Sequence, residues 1–88
     1  MLILTEHFRE QWRRRGNGPV PSEDEVRRMV DKSVRIQKGT ELFTARGYRV
    51  RIMALYWYAE KDVIFKIDTK NERVVTVLSP ETAKEIEN

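Results

Sequence analysis

Apolar residues in the first third of the chain recur at helical spacing, and from Val34 onward they alternate. Leu4, Phe8 and Trp12 fall four apart, which sets them on one face of a helix with about 3.6 residues per turn. Thr5 precedes most of this stripe as an N-cap. Glu6 and Glu10 lie toward its start and Arg13, Arg14 and Arg15 toward its end, as the helix dipole favours, and Gly16 suits the left-handed position just past a helix. The spacing therefore predicts a helix over 6–15. Gly16 to Pro21, with two glycines and two prolines in six residues, then breaks regular structure. Ser22-Glu23-Asp24-Glu25 matches an S-x-x-E capping box. It opens a second helix with Val26, Met29 and Val30 inward and Arg27, Arg28, Asp31 and Lys32 outward, ending near Ser33.

Beyond Ser33 the period changes to two. Val34 and Ile36 alternate with Arg35 and Gln37, and Leu42 and Phe43 follow a break at Lys38-Gly39-Thr40. A long strand is expected from Tyr48 to Tyr58. Tyr48, Val50, Ile52, Ala54, Tyr56 and Tyr58 lie on one side of it, and Arg49, Arg51, Met53, Leu55 and Trp57 on the other. Turns over 59–62 and 69–72 flank a strand over 63–68, and a last strand covers 73–78 before Pro80. A polar helix is expected over 80–88. Short links make these neighbours antiparallel. The reading is an α+β single domain spanning 1–88, with two N-terminal helices packed on one face of a four-stranded, largely antiparallel twisted sheet.

Length and composition narrow the possibilities. The 88 residues are 40% hydrophobic and 35% charged, too apolar for a disordered tail and too charged for a membrane protein. The N-terminus reaches Glu6 after four apolar residues, whereas a secretory signal needs a basic start and an apolar run of roughly 7–15 residues. No stretch approaches the ~20 apolar residues of a membrane span. A cytoplasmic protein with no membrane partner is the expectation. With no cysteine and a single histidine, thiolate chemistry and cysteine- or histidine-rich metal sites have no ligands. No cofactor is expected, and the P-loop, dinucleotide, zinc-protease and nucleophile-elbow signatures are missing from the sequence.

Charge is uneven. Residues 1–79 carry 16 Lys/Arg against 11 Asp/Glu, whereas 80–88 carry one against three. A basic body favours a polyanionic partner, with RNA foremost. His7, Arg14, Tyr48 and Arg49 are the residue types that metal-independent RNA cleavage needs. It requires a base for the 2′-hydroxyl, an acid for the leaving oxygen, and cations around a transition state gaining negative charge. His7 is the only histidine and the residue type that titrates nearest neutrality. Seven residues from Arg14, it lies on nearly the same side of the first helix. Arg13 and Arg15 at the end of the first helix, and Arg46, Arg51, Lys66 and Arg73 on or beside strands whose open face is expected to be basic, are further candidates for nucleic-acid contact. Arg49 and Arg51 suit either phosphate or cross-strand pairing with Asp68 or Glu72.

The run Leu4-Thr5-Glu6-His7-Phe8-Arg9-Glu10-Gln11-Trp12-Arg13-Arg14-Arg15-Gly16, then Ser22-Glu23-Asp24-Glu25-Val26, then strands ending Val74-Val75-Thr76-Val77-Leu78, resembles a family of small bacterial and phage proteins related to the RelE/BrnT-like toxin ribonucleases. The resemblance covers nearly the whole chain. It implies a RelE-like fold, His7 as the helix histidine, Arg14 or Arg15 as the arginine before the glycine, RNA cleavage, and an acidic antitoxin protein as partner. Phe8 stands where that family has a small residue. Two other readings remain open: a non-catalytic nucleic-acid-binding accessory protein using the same cations, and a small protein-interaction module.

Overall fold

The computed structural model describes residues 2–15 and 18–81. Gly16 and nearly all of the expected 80–88 helix lie outside them. Helix α1 spans Glu6–Arg14 and α2 spans Glu23–Asp31. The Thr5 hydroxyl accepts from the Phe8 amide at 3.1 Å to start α1. At α2 both halves of the capping box are made, Ser22 N to Glu25 Oε1 at 3.1 Å and Glu25 N to Ser22 Oγ at 3.2 Å. These bonds satisfy amide groups that a helix start leaves without partners. The apolar stripes face inward as their spacing predicts: Phe8, Trp12, Val26 and Met29 are buried, and Leu4 and Val30 are partly buried against them.

The strands are β1 (Ile3–Leu4), β2 (Val34–Gln37), β3 (Thr40–Phe43), β4 (Arg49–Ile52), β5 (Ala54–Tyr58), β6 (Val63–Asp68) and β7 (Arg73–Leu78). Five of them form one sheet in the order β1-β7-β6-β5-β2, and β3 and β4 pair separately. The expected four-stranded sheet is therefore corrected to five strands plus a two-stranded ribbon. The fifth is β1, which runs parallel to β7 while the other neighbours are antiparallel. The expected strand over 48–58 is likewise divided at Met53, where Gln37 Nε2 donates to the Met53 carbonyl at 2.8 Å. A side chain there takes the carbonyl that an uninterrupted ladder would use. Gly39 sits beside this break. A Cβ on it would fall 2.9 Å from Thr69 Oγ1 and 3.4 Å from the Ala54 amide, so the chain bends where only glycine fits closely.

Directly paired residues share a face, and the register joins Tyr56 to Phe65, Tyr58 to Val63 and Phe65 to Val77. Tyr58, Val63, Phe65, Ile67, Val74 and Val77 are buried in one cluster with Phe8, Trp12, Val26 and Met29. At its centre the Trp12 and Phe65 rings stack, centroids 6.3 Å apart and planes 12° from parallel, and Phe8 lies 5.8 Å and 6.2 Å from them. Such pairs contribute about 0.5–1.5 kcal/mol each beyond burial. On the opposite side Leu55 and Ile64 are buried with Trp57 and Leu78 packed against them.

Strand β7 does not alternate regularly. Lys66 pairs with Thr76 but Ile67 pairs with Val74, leaving Val75 as an extra residue. This bulge lets Val74 and Val77, three apart, both be fully buried, although residues three apart in a regular strand face opposite ways. The Thr5 hydroxyl lies 2.8 Å from the Val75 carbonyl and 3.1 Å from that of Val74.

Candidate nucleic-acid interface

The β3–β4 ribbon prolongs the β2–β5 pair beyond Gly39 and Met53. Its end is a short loop over Ala45-Arg46-Gly47. There Thr44 N donates to Tyr48 O at 2.8 Å, Gly47 N to Thr44 O at 2.9 Å, and Gly47 has φ +83°. That left-handed conformation is one that glycine alone adopts without strain. Along the ribbon Glu41 pairs with Arg51, Phe43 with Arg49, Leu42 with Val50 and Thr40 with Ile52. One face therefore carries Glu41, Phe43, Arg49 and Arg51, and the other carries Thr40, Leu42, Val50 and Ile52.

The two ends of the ribbon differ in charge. At its root Arg51 Nη1 lies 2.9 Å from Asp68 Oδ2, its Nε lies 3.8 Å from Glu41 Oε1, and Lys70 Nζ lies 3.1 Å from the same Glu41 oxygen. Asp68 is 4% exposed. Its carboxyl is held below the usual aspartate range, chiefly by the Asn71 side-chain amide at 2.9 Å and then by the Asn71 backbone amide and Arg51. Lys70 holds the Glu41 carboxyl low in the same way. Farther out, residues 42–50 read Leu-Phe-Thr-Ala-Arg-Gly-Tyr-Arg-Val, with two arginines and no carboxylate. Phe43 and Tyr48 there are 73% and 69% exposed. Exposed aromatic rings next to arginines offer stacking surfaces and phosphate contacts together.

The other candidates are dispersed. His7, Arg13 and Arg14 are exposed on α1, and Arg15 is the half-buried residue that ends it. Helix α1 packs on β7, whereas β3 and β4 contact each other and continue from β2 and β5, across the sheet. The structure thus brings Tyr48 and Arg49 together with Arg46 and sets His7 with Arg14 on a different element. Arg51 takes the cross-strand option by pairing with Asp68. Lys66 is half-buried opposite Leu55 and Thr76, and Arg73 is exposed opposite Asp68. Phe43 was not legible as a contact residue from alternation alone. A hairpin centred on Ala45-Arg46-Gly47 would have placed it opposite Arg49.

Among the described residues no group of three or more His, Asp or Glu is placed to hold a metal ion. No helix among them is long and apolar enough to cross a membrane. Comparison with protein-family models, with curated proteins and with solved structures returns no match.

Proposed function

We propose that this chain binds single-stranded RNA through the β3–β4 ribbon. The observation that carries this reading is the segment 42–50, where two arginines and two highly exposed aromatic rings occur without a carboxylate. Stacking on Phe43 and Tyr48 supplies sequence-tolerant affinity, and Arg46 and Arg49 contact phosphates. A cleavage mechanism needs His7 and Tyr48 at one phosphodiester, and His7 sits on α1, which packs on β7, whereas Tyr48 sits at the loop end of the separate β3–β4 ribbon. Binding without cleavage is therefore the better-supported reading.

The test is fluorescence anisotropy of a labelled single-stranded RNA across a salt series. Each phosphate contact contributes a log–log slope of roughly −0.7, so Arg46→Gln with Arg49→Gln should reduce the slope by about 1.4. Tyr48→Ala should weaken binding by about 1–3 kcal/mol and leave the slope unchanged. A salt-independent interaction, or a double variant that binds like the wild type, refutes the reading. The same RNA is expected to stay intact on incubation with the wild type. Cleavage that His7→Ala abolishes would replace binding with the ribonuclease reading.

A further inference from the structure

The β3–β4 ribbon is joined to the rest of the fold by little besides its two chain connections. Its strands pair only with each other, and the ladder that would carry them on from β2 and β5 is broken at Gly39 and at Met53, whose carbonyl is taken by Gln37. Among the described residues neither buried cluster includes a ribbon side chain. A two-stranded ribbon with no packed face has no apolar burial to set its angle.

What joins it to the sheet is charge. A space of about 180 Å³ lies between the ribbon root and residues 68–70, lined by Gly39, Glu41, Arg51, Asp68 and Lys70 among others, and two ion pairs cross it. In the outer pair, Lys70 with Glu41 at 3.1 Å, the side chains are 54% and 34% exposed, and such pairs do little to hold a geometry. The inner pair differs. Arg51 Nη1 donates to Asp68 Oδ2 at 2.9 Å, and Asp68 is almost fully buried. Its carboxylate is fixed in turn by the backbone and side-chain amides of Asn71, at 3.3 Å and 2.9 Å. A charge so enclosed is costly to leave without its cation. Because the turn after β6 fixes its position, a ribbon that swung away from the sheet would strand it.

We propose that the ribbon is a hinged arm and that Arg51, through its bond to Asp68, is the positioning residue that fixes the arm's orientation for RNA. The RNA part rests on the RNA-binding reading above, and the mechanical part stands without it. Arg51 contacts no phosphate in this arrangement. It holds Phe43, Arg46, Tyr48 and Arg49 in one place relative to the sheet, so that RNA meets an arm already ordered and binding loses less conformational freedom.

The chain has no cysteine, so spin labels at Glu10→Cys on α1 and Ala45→Cys in the ribbon loop, both exposed positions, report the arm by pulsed electron resonance without competing sites. The distance distribution should be narrow in the otherwise unchanged chain and should at least about double in width in Arg51→Met. Lys70→Met should leave it narrow. Where Arg51→Met fails to fold by circular dichroism, Arg51→Met with Asp68→Asn takes its place, since it removes the enclosed charge together with its partner. A broad distribution in the unchanged chain, a narrow one in the folded Arg51 variant, or an equal broadening by Lys70→Met overturns the proposal. With RNA, the Arg51 variant should bind about three- to ten-fold more weakly and keep the salt slope of the unchanged chain. A slope lowered by about 0.7 would make Arg51 a direct phosphate contact and overturn its positioning role. If the unchanged chain binds no RNA, the RNA-binding reading fails, and the distance distributions alone decide whether Arg51 holds the arm.

Discussion

The hydroxyl of Thr5 lies 2.8 Å from the carbonyl of Val75, and its oxygen also accepts from the Phe8 amide at 3.1 Å. One side chain therefore starts α1 and satisfies a carbonyl on the irregular stretch of β7. Thr5→Val keeps the shape and loses both bonds. It should lower the unfolding free energy by about 1–3 kcal/mol, combining a lost cap with an unpaired carbonyl. Thr5→Ser should retain most of the stability. Urea midpoints of the two variants decide the matter, and indistinguishable midpoints would show that the hydroxyl contributes little.

Asp68 accepts from Asn71 and Arg51 and is almost fully buried. Because its folded pKa lies below the ordinary value, the stabilisation is complete above the unfolded aspartate pKa of about 3.9 and disappears as pH falls through the lower, folded value. Stability should decline as pH falls from about 5 through the unfolded aspartate value and on through the lower, folded one. Asp68→Asn should flatten that decline and cost about 1–3 kcal/mol at neutral pH, since the partners of a buried carboxylate lose it. Thermal melts at stepped pH give both quantities.

Gly39→Ala places a methyl 2.9 Å from Thr69 Oγ1, closer than such contacts are tolerated. We expect a loss of about 1–3 kcal/mol by chemical denaturation, the usual cost of overpacking. Adding Thr69→Ala removes the obstructing oxygen. The double variant should then be more stable than the sum of the two single changes predicts.

Trp12 is 1% exposed and stacks on Phe65. Trp12→Ala should cost about 3–5 kcal/mol, the range for emptying a large aromatic from a core. In a domain whose whole stability is of the order of 5–15 kcal/mol, that brings the chain near unfolding. Far-UV circular dichroism against temperature measures it, and a melt close to wild type would mean the cavity collapses without penalty.

The helices were legible because their signals are local: a stripe at four-residue spacing ending in Trp12, a capping box at Ser22 to Glu25. The strands were legible in position but not in partnership. Ile3–Leu4 is too short to show a period, and its place beside β7 is fixed by Ile3 N donating to Glu72 O at 2.8 Å, a bond between residues far apart in sequence. The alternation from Tyr48 to Tyr58 runs through Met53 without a visible break, because the interruption comes from Gln37 on another strand. Arg51 posed the same difficulty. Alternation left it equally suited to phosphate or carboxylate, and only the fold brings Asp68 to it at 2.9 Å. The nine residues from Leu42 to Val50 could be read for charge, but that their rings stay in solvent is a property of the ribbon standing apart from the sheet.

The extra residue in β7 gives that strand two reading frames. Up to Val74 the core receives one set of alternate positions, and from Thr76 onward it receives the other. Removing Val75 would bring Val74 and Thr76 into adjacent positions opposite Ile67 and Lys66, an unbroken alternation in which Val74 and Val77 both still face the core. What the deletion takes away is the carbonyl that the Thr5 hydroxyl reaches at 2.8 Å, so its cost falls on the attachment of the N-terminal segment and the start of α1 rather than on the packing of β7. Tolerance of single-residue insertion and deletion in this strand is thus set by the end of the chain farthest from it in sequence, where Thr5 holds the shifted carbonyls.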